Sequence, residues 1–193
     1  MGTKFAQVYN RFLGKITDDM YVELTPEDTM RDMQHLLISA IPEFEFPRKR
    51  LDDYEIKMEV IDENGAEADD FIVGVTWDEL SEEEDLIPEV IVDRSSFSCT
   101  LTSEEVNILA VLMMTGWLQR QITSIENTRM KYSGTDFKMT SQANHLSKLL
   151  SLLAECQRQS HHLQRLYKRR KTDENGQIQS NWSIFARGTG NVR

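Results

Sequence analysis

The chain has few of the residues that build metal sites or covalent cross-links. It has 193 residues but only two cysteines and four histidines. Cys99 and Cys156 are far apart and no secretion signal accompanies them, so we expect reduced packing residues rather than a disulfide. No histidine shows the Cys/His spacing that is typical of zinc sites. The sequence therefore predicts neither a metal ion nor any other cofactor.

Motifs for catalysis are missing too. The GTG at 188–190 does not stand between a strand and a helix, so it is not a phosphate-binding loop. The serines within 95–98 have no G-x-S-x-G context. The pair Asp69 and Asp70 lacks the ligand spacing of an EF-hand calcium loop. We therefore expect no catalytic residues and a protein that is not an enzyme.

No apolar run reaches the length of a membrane span. Glu104, Glu105, Asn107 and Arg120 interrupt the most apolar segment. The first residues, MGTKFAQVYNRFLG, contain no apolar signal core, which favours a protein made and kept in a cytoplasm. Hydrophobic residues form 39% of the chain, enough for one domain without membrane contact.

Charge is distributed unevenly along the chain. Residues 43–94 carry 19 acidic and 5 basic side chains, a net charge of −14, whereas residues 129–193 carry 12 basic and 4 acidic, a net charge of +8. Opposite charges on two parts of one chain can drive head-to-tail association between copies. Two solvated surfaces of opposite sign would have the same composition, so both interpretations stay open.

The strongest structural signal is a long helix from about 103 to 130. Thr102 is its predicted N-cap, and Glu105 follows three residues later, the spacing of a capping box. Two apolar rows recur at helical spacing: Val106, Leu109, Ala110, Met113 and Trp117, then Ile108, Leu112, Ile122 and Ile125. So wide an apolar surface needs cover, either from the inserted strands or from a neighbouring copy. Gly116 lies mid-helix, which indicates the close approach of another helix or else a bend.

Three further helices are predicted around it. The first covers about 3–15, and the second begins at the cap Thr25 and ends at Pro42. The last runs from about 140 to 170, with a packing seam at spacings of three and four: Leu146, Leu149, Leu153, Cys156, Ser160, Leu163 and Tyr167. The expected fold is mainly α, an antiparallel helical bundle of about four helices.

An acidic, β-rich insertion is predicted at 50–95. Ile56, Met58 and Val60 alternate with polar residues, as in a strand with two unlike faces. Asn64–Gly65 is a strong turn signal, and FIVGVTW (71–77) reads as the next strand, which together predict a β-hairpin or a small sheet. IPEVIVDRS (87–95) is either a third strand or an extended return.

The C-terminal part contains a basic cluster and an alternating tail. Lys168, Arg169, Arg170 and Lys171 could neutralise nucleic-acid phosphates, or could simply complement the negative end of the helix dipole. In the extended tail, 172–193, the residues Ile178, Ser180, Trp182 and Ile184 share one side. Such a segment suits strand addition to another subunit, and the alternative is that it folds back onto this chain's own strands.

The helical segments resemble those of tailed-bacteriophage head–tail connector proteins, also called adaptor, head-completion or neck proteins. The similarity lies in four segments that cover about 1–42 and 97–170: KFAQVYNRFLGKIT, LTPEDTMRDMQHLLISAI, FSCTLTSEEVNILAVLMMTGWLQRQI and MKYSGTDFKMTSQANHLSKLL. The resemblance implies a structural virion protein in the phage neck. It also implies one connector domain at 1–171 and a C-terminal docking tail at 172–193.

The same resemblance implies an oligomeric ring, expected to have twelve copies, that binds the portal, contacts other neck or tail proteins and extends the DNA channel. Ile178, Trp182, Ile184 and Phe185 are then the expected portal or inter-subunit docking residues. Lys168, Arg169, Arg170 and Lys171 would touch passing DNA non-specifically. The alternative is a nucleic-acid-binding regulatory protein that uses the basic cluster at 168–171.

Overall fold

Helices dominate the structure. The computed structural model describes residues 2–16, 24–67, 70–76, 89–131 and 140–170. These ranges contain four α-helices, namely α1 (Phe5–Leu13), α2 (Pro26–Ala40), α3 (Ser103–Lys131) and α4 (Thr140–Arg169). A small antiparallel sheet accompanies them, so the prediction of a mainly α protein is confirmed. As far as their residues are described, none of the helices is long and apolar enough to cross a membrane.

Local capping chemistry sets where two of the helices begin. The Thr25 hydroxyl accepts a hydrogen bond from the Asp28 amide at 3.2 Å, and Pro26 occupies the first position of α2. At α3, the Glu105 amide donates to the Thr102 hydroxyl at 3.3 Å, while the Glu105 carboxylate accepts from the Thr102 amide at 2.7 Å. Both arrangements give partners to amides that a first helical turn leaves unpaired.

Helix α3 is the centre of the core and contacts α1, α2 and α4. Ile108, Leu109 and Met113 are fully buried, and Leu112 and Ile122 are less than 8% exposed. Three of the four residues in the second apolar row of α3 are therefore covered by the chain itself and do not require a neighbouring copy, while Ile125 is only partly buried. α4 presents its predicted seam to this core: Cys156, Ser160 and Tyr167 are buried, and Leu149, Leu153 and Leu163 pack against it.

The sheet has a different strand order from the one a hairpin would produce. Its strands are β2 (Met58–Asp62), β3 (Phe71–Thr76) and β4 (Glu89–Asp93), in the order β2–β4–β3. Since β2 and β3 are each antiparallel to β4, they run parallel to one another. The predicted hairpin is therefore wrong, while the small sheet and the third strand are confirmed. The Asn64–Gly65 signal lies in a short 3₁₀ turn, Glu63–Gly65, not in a two-residue hairpin loop.

A second, two-stranded sheet joins the N-terminus to the strand region. β1 (Tyr54–Glu55) pairs with β5 (Ser96–Phe97), and Lys4 bridges to Ser96 on the other side. Gly2 lies so close to this pair that a Cβ atom on it would be 1.6 Å from the Phe97 carbonyl oxygen. Only glycine fits there, because real Cβ contacts never come so near to backbone.

Candidate docking surfaces

A buried polar contact joins α4 to α3. The Tyr167 hydroxyl donates to the buried Glu105 carboxylate, which ties α4 to the capping box of α3. Burial, together with this bond, raises the pKa of Tyr167. No group of three or more His, Cys, Asp or Glu side chains that could hold a metal ion occurs among the described residues.

A second buried polar group links α2 to the sheet. The Gln34 amide donates to Asp93 at 3.2 Å, and the Ser95 backbone amide donates to the other Asp93 oxygen at 2.7 Å. The Ser95 hydroxyl in turn accepts from the Lys57 amide at 3.0 Å. Every contact here is to a group of the fold, so the cluster fixes the position of β4 and the turn after it.

The basic cluster at the end of α4 is partly used within the chain. Arg170 pairs with Glu104 at 2.8 Å, which places the end of α4 beside the start of α3. The Lys168 ammonium lies 3.8 Å from the centre of the Phe46 ring. Arg169 is exposed, and Lys171 lies outside the described residues. Two of the four cations therefore have partners within the chain.

An ion-pair cluster stabilises the acidic sheet region around Asp70. This carboxylate, whose side chain is inaccessible to solvent, is 2.9 Å from Lys4 and 3.0 Å from Arg94. Arg94 also pairs with Glu59 of β2 at 2.6 Å. Burial alone would raise the pKa of Asp70, but the amide of Glu67 and the two cations outweigh it and lower the pKa to about 2.

The most unusual surface is the apolar row on β2. Ile56 is 50% exposed, Met58 is 46% exposed and Val60 is 58% exposed. The predicted alternation is present, but the apolar row is its more exposed side, and Glu59 and Ile61 are the partly buried positions. α2 packs against β3 and β4, and these exposures show that its cover does not extend to β2.

Two leucines on different sides of α4 are exposed. Leu150 is 47% exposed and Leu152 is 41% exposed. Beside them, a groove of about 480 Å³ lies between α3, α4 and the end of α1, with Trp117 and Leu149 in its lining. Sequence reasoning assigned α4 a single inward seam, and the run SKLLSLLAEC was the available signal that its apolar surface is wider.

The predicted docking residues Ile178, Trp182, Ile184 and Phe185 all lie outside the described residues, as does the whole tail 172–193. The structure therefore does not place them against any surface. What it adds is the exposed apolar side chains of β2 and of α4, which were not among the predicted docking residues.

Comparison with known proteins identifies no relative of this chain. No protein-family model matches the chain, no curated protein matches it, and no solved structure matches it.

Proposed function

We propose that this chain is a structural virion protein that forms an oligomeric ring between the portal and the tail of a tailed phage and extends the DNA channel. In this proposal the four helices form an antiparallel bundle that is the body of each subunit. The tail, 172–193, serves docking, and the protein acts through assembly rather than through a reaction. The resemblance of the helical segments to head–tail connectors supports this assignment.

One structural observation supports the proposal most directly. The helical core is closed within a single chain, yet Met58, Val60, Leu150 and Leu152 remain exposed at its margin. A subunit of an assembly needs this combination, because contacts between copies must bury apolar surface that the folded monomer leaves in water. The opposite net charges of 43–94 and 129–193 would favour head-to-tail contacts, which give a ring when the rotation between copies closes.

The direct test is to look for the protein in particles. Virions of the phage that encodes this chain would be purified, and the neck would be reconstructed by cryo-electron microscopy. We expect a ring of copies between portal and tail, with α3 and α4 visible as paired long helices. Mature particles that lack the protein would contradict the proposal.

The alternative function, nucleic-acid-binding regulation through 168–171, makes a different prediction. It requires salt-dependent DNA affinity that is lost when Lys168, Arg169, Arg170 and Lys171 are replaced by glutamine. Because Arg170 and Lys168 already contact Glu104 and Phe46, we expect weak binding without sequence preference. Tight, sequence-specific binding in a gel-shift assay would favour the regulator instead.

A further inference from the structure

The outer edge of β2 has the properties of a site for strand addition. β2 ends the β2–β4–β3 order, and no strand among the described residues pairs with its other side. Alternate residues of an edge strand direct their N–H and C=O groups outward, where a further strand can bond to them. Met58 and Val60 are exposed on one face of this edge strand, and Ile56 is exposed just before it. Hydrogen bonding and apolar burial are therefore available to the same incoming segment.

The opposite edge, β3, is less suited to a partner. Its register against β4 shifts between Ile72 and Gly74, and such a bulge interrupts the regular spacing of edge groups. Phe71 at the start of β3 also packs against the core, and the centre of its ring lies 5.2 Å from that of the Tyr9 ring. β2 pairs with β4 in an unbroken register from Met58 to Asp62, so its free edge is the regular one.

The chain contains a segment with the matching pattern. Within 177–186, Ile178, Trp182 and Ile184 alternate with polar residues, so they share one face of an extended strand. Arg187 follows this segment directly, whereas 55–62 carries three acidic side chains and one basic side chain. The apolar face of the segment complements the edge, and the arginine beside it complements the net negative charge of the acceptor.

We propose that β2 is the acceptor edge for residues 177–186 of a second copy of this chain. The inference deepens the proposed function and rests on it, since it names the contact that would link neighbouring subunits of the ring. Each copy then offers one donor segment and one acceptor edge at different places on its surface. That arrangement is heterologous and leads to a closed ring when the rotation between copies closes.

Pairing with a second copy can match the rest of the sheet. Every strand pair in the described sheets is antiparallel, and a segment from another copy can approach β2 in that direction, which is the more stable pairing.

The test uses three full-length variants. Val60→Lys blocks the acceptor with a charge at a position that is 58% exposed, and Trp182→Lys blocks the donor. Ile72→Lys is the matched control, since Ile72 is 48% exposed but lies on β3. Circular dichroism checks that each variant is folded, and light scattering on a sizing column measures its mass over a concentration series.

We expect the unaltered protein and Ile72→Lys to oligomerise alike. Val60→Lys and Trp182→Lys should each weaken association by about tenfold or more. When these two variants are mixed, one donor and one acceptor remain intact, so the mass should rise to that of a pair and stop there.

Four results would overturn the inference. They are a monomeric unaltered protein, a Val60→Lys variant that associates as well as the original, an Ile72→Lys variant that dissociates equally, and a mixture that stays monomeric. A protein that is monomeric alone but binds portal rings through Trp182 would identify the portal as the acceptor instead. These outcomes are separate from the proposed function, because particles whose neck ring forms normally with Val60→Lys would overturn only the strand exchange.

Discussion

The helical core and the edge of the β2–β4–β3 sheet differ in how far their apolar side chains are covered. Around α3, stability comes from apolar side chains: Leu109 and Met113 have no exposed surface. In the sheet region, Asp70, Lys4 and Arg94 form ion pairs, while apolar residues of the edge strand remain in water. The two parts of the molecule should therefore respond to different perturbations.

This difference also separates what each part is available to do. The fully buried residues of α3, such as Leu109 and Met113, offer no surface to a partner, because their contacts lie within the chain. An edge strand with Met58 and Val60 exposed keeps both its hydrogen bonds and its apolar surface for another chain. The comparison predicts that damage to α3 unfolds the protein, whereas damage to β2 leaves it folded and changes its association.

The largest effect should come from a cavity in α3. Leu109→Ala removes a fully buried side chain, and we expect a loss of about 2–5 kcal/mol in the free energy of unfolding. The control Ile72→Ala, at a position 48% exposed in β3, should change it by less than about 0.5 kcal/mol. Urea unfolding followed by circular dichroism measures both. Equal losses would contradict the contrast between the buried position on α3 and the exposed position on β3.

The next effect concerns the buried carboxylate that joins α3 to α4. Glu105→Ala removes the capping contact to Thr102 and leaves the Tyr167 hydroxyl without its acceptor. We expect the free energy of unfolding to fall by about 2–4 kcal/mol, since a lost cap and an unpaired buried hydroxyl each destabilise the fold by roughly 1–2 kcal/mol. The neighbouring control Glu104→Ala breaks only the partly exposed pair with Arg170 and should lose less than about 1 kcal/mol. Thermal unfolding of both variants tests the contrast.

Acid should weaken the sheet region before the helical core. The pKa of Asp70 is lowered to about 2 from its ordinary 3.8, so its ionised form is favoured in the folded state. Its stabilising contribution is present above pH 4 and is lost as the pH falls through about 2. Between pH 5 and pH 2, the free energy of unfolding of the original protein should therefore fall by about 1–2 kcal/mol more than that of Asp70→Asn. The effect is no larger because water screens the partly exposed Lys4 and Arg94. Unfolding of both at each pH measures the difference, and parallel curves would contradict the assignment.

The helices were largely predictable because their signals are local. Thr25 and Thr102 each cap a helix through a contact three residues away, and the seam of α4 follows from helical spacing alone. The strand order was not predictable in this way. Asn64–Gly65 is a local turn signal, but β4 separates β2 from β3, and pairing across some 30 residues depends on what α2 covers rather than on the turn.

The candidate docking surfaces were also only partly predictable from the sequence. Alternation on β2 indicated a strand with two unlike faces, but only tertiary packing decides which face is covered, and here the apolar row is the exposed one. The basic cluster was visible in the sequence, yet its partners Phe46 and Glu104 lie 122 and 66 residues away from Lys168 and Arg170. Long-range partners of this kind leave no pattern in a single chain.

Gly116 offers the smallest and most specific test of the helical core. α2 does approach it, as one of the two sequence interpretations predicted, but a Cβ atom there would be 3.6 Å from the Leu36 Cδ2 atom, an ordinary contact distance. Gly116→Ala should therefore raise the free energy of unfolding by about 0.5–1 kcal/mol, because alanine loses less backbone entropy in a helix. Gly116→Val, which adds branches toward Leu36, should instead destabilise through overpacking. If alanine also destabilises in urea unfolding, the two helices pack more tightly than this distance indicates, and the glycine is required for their contact.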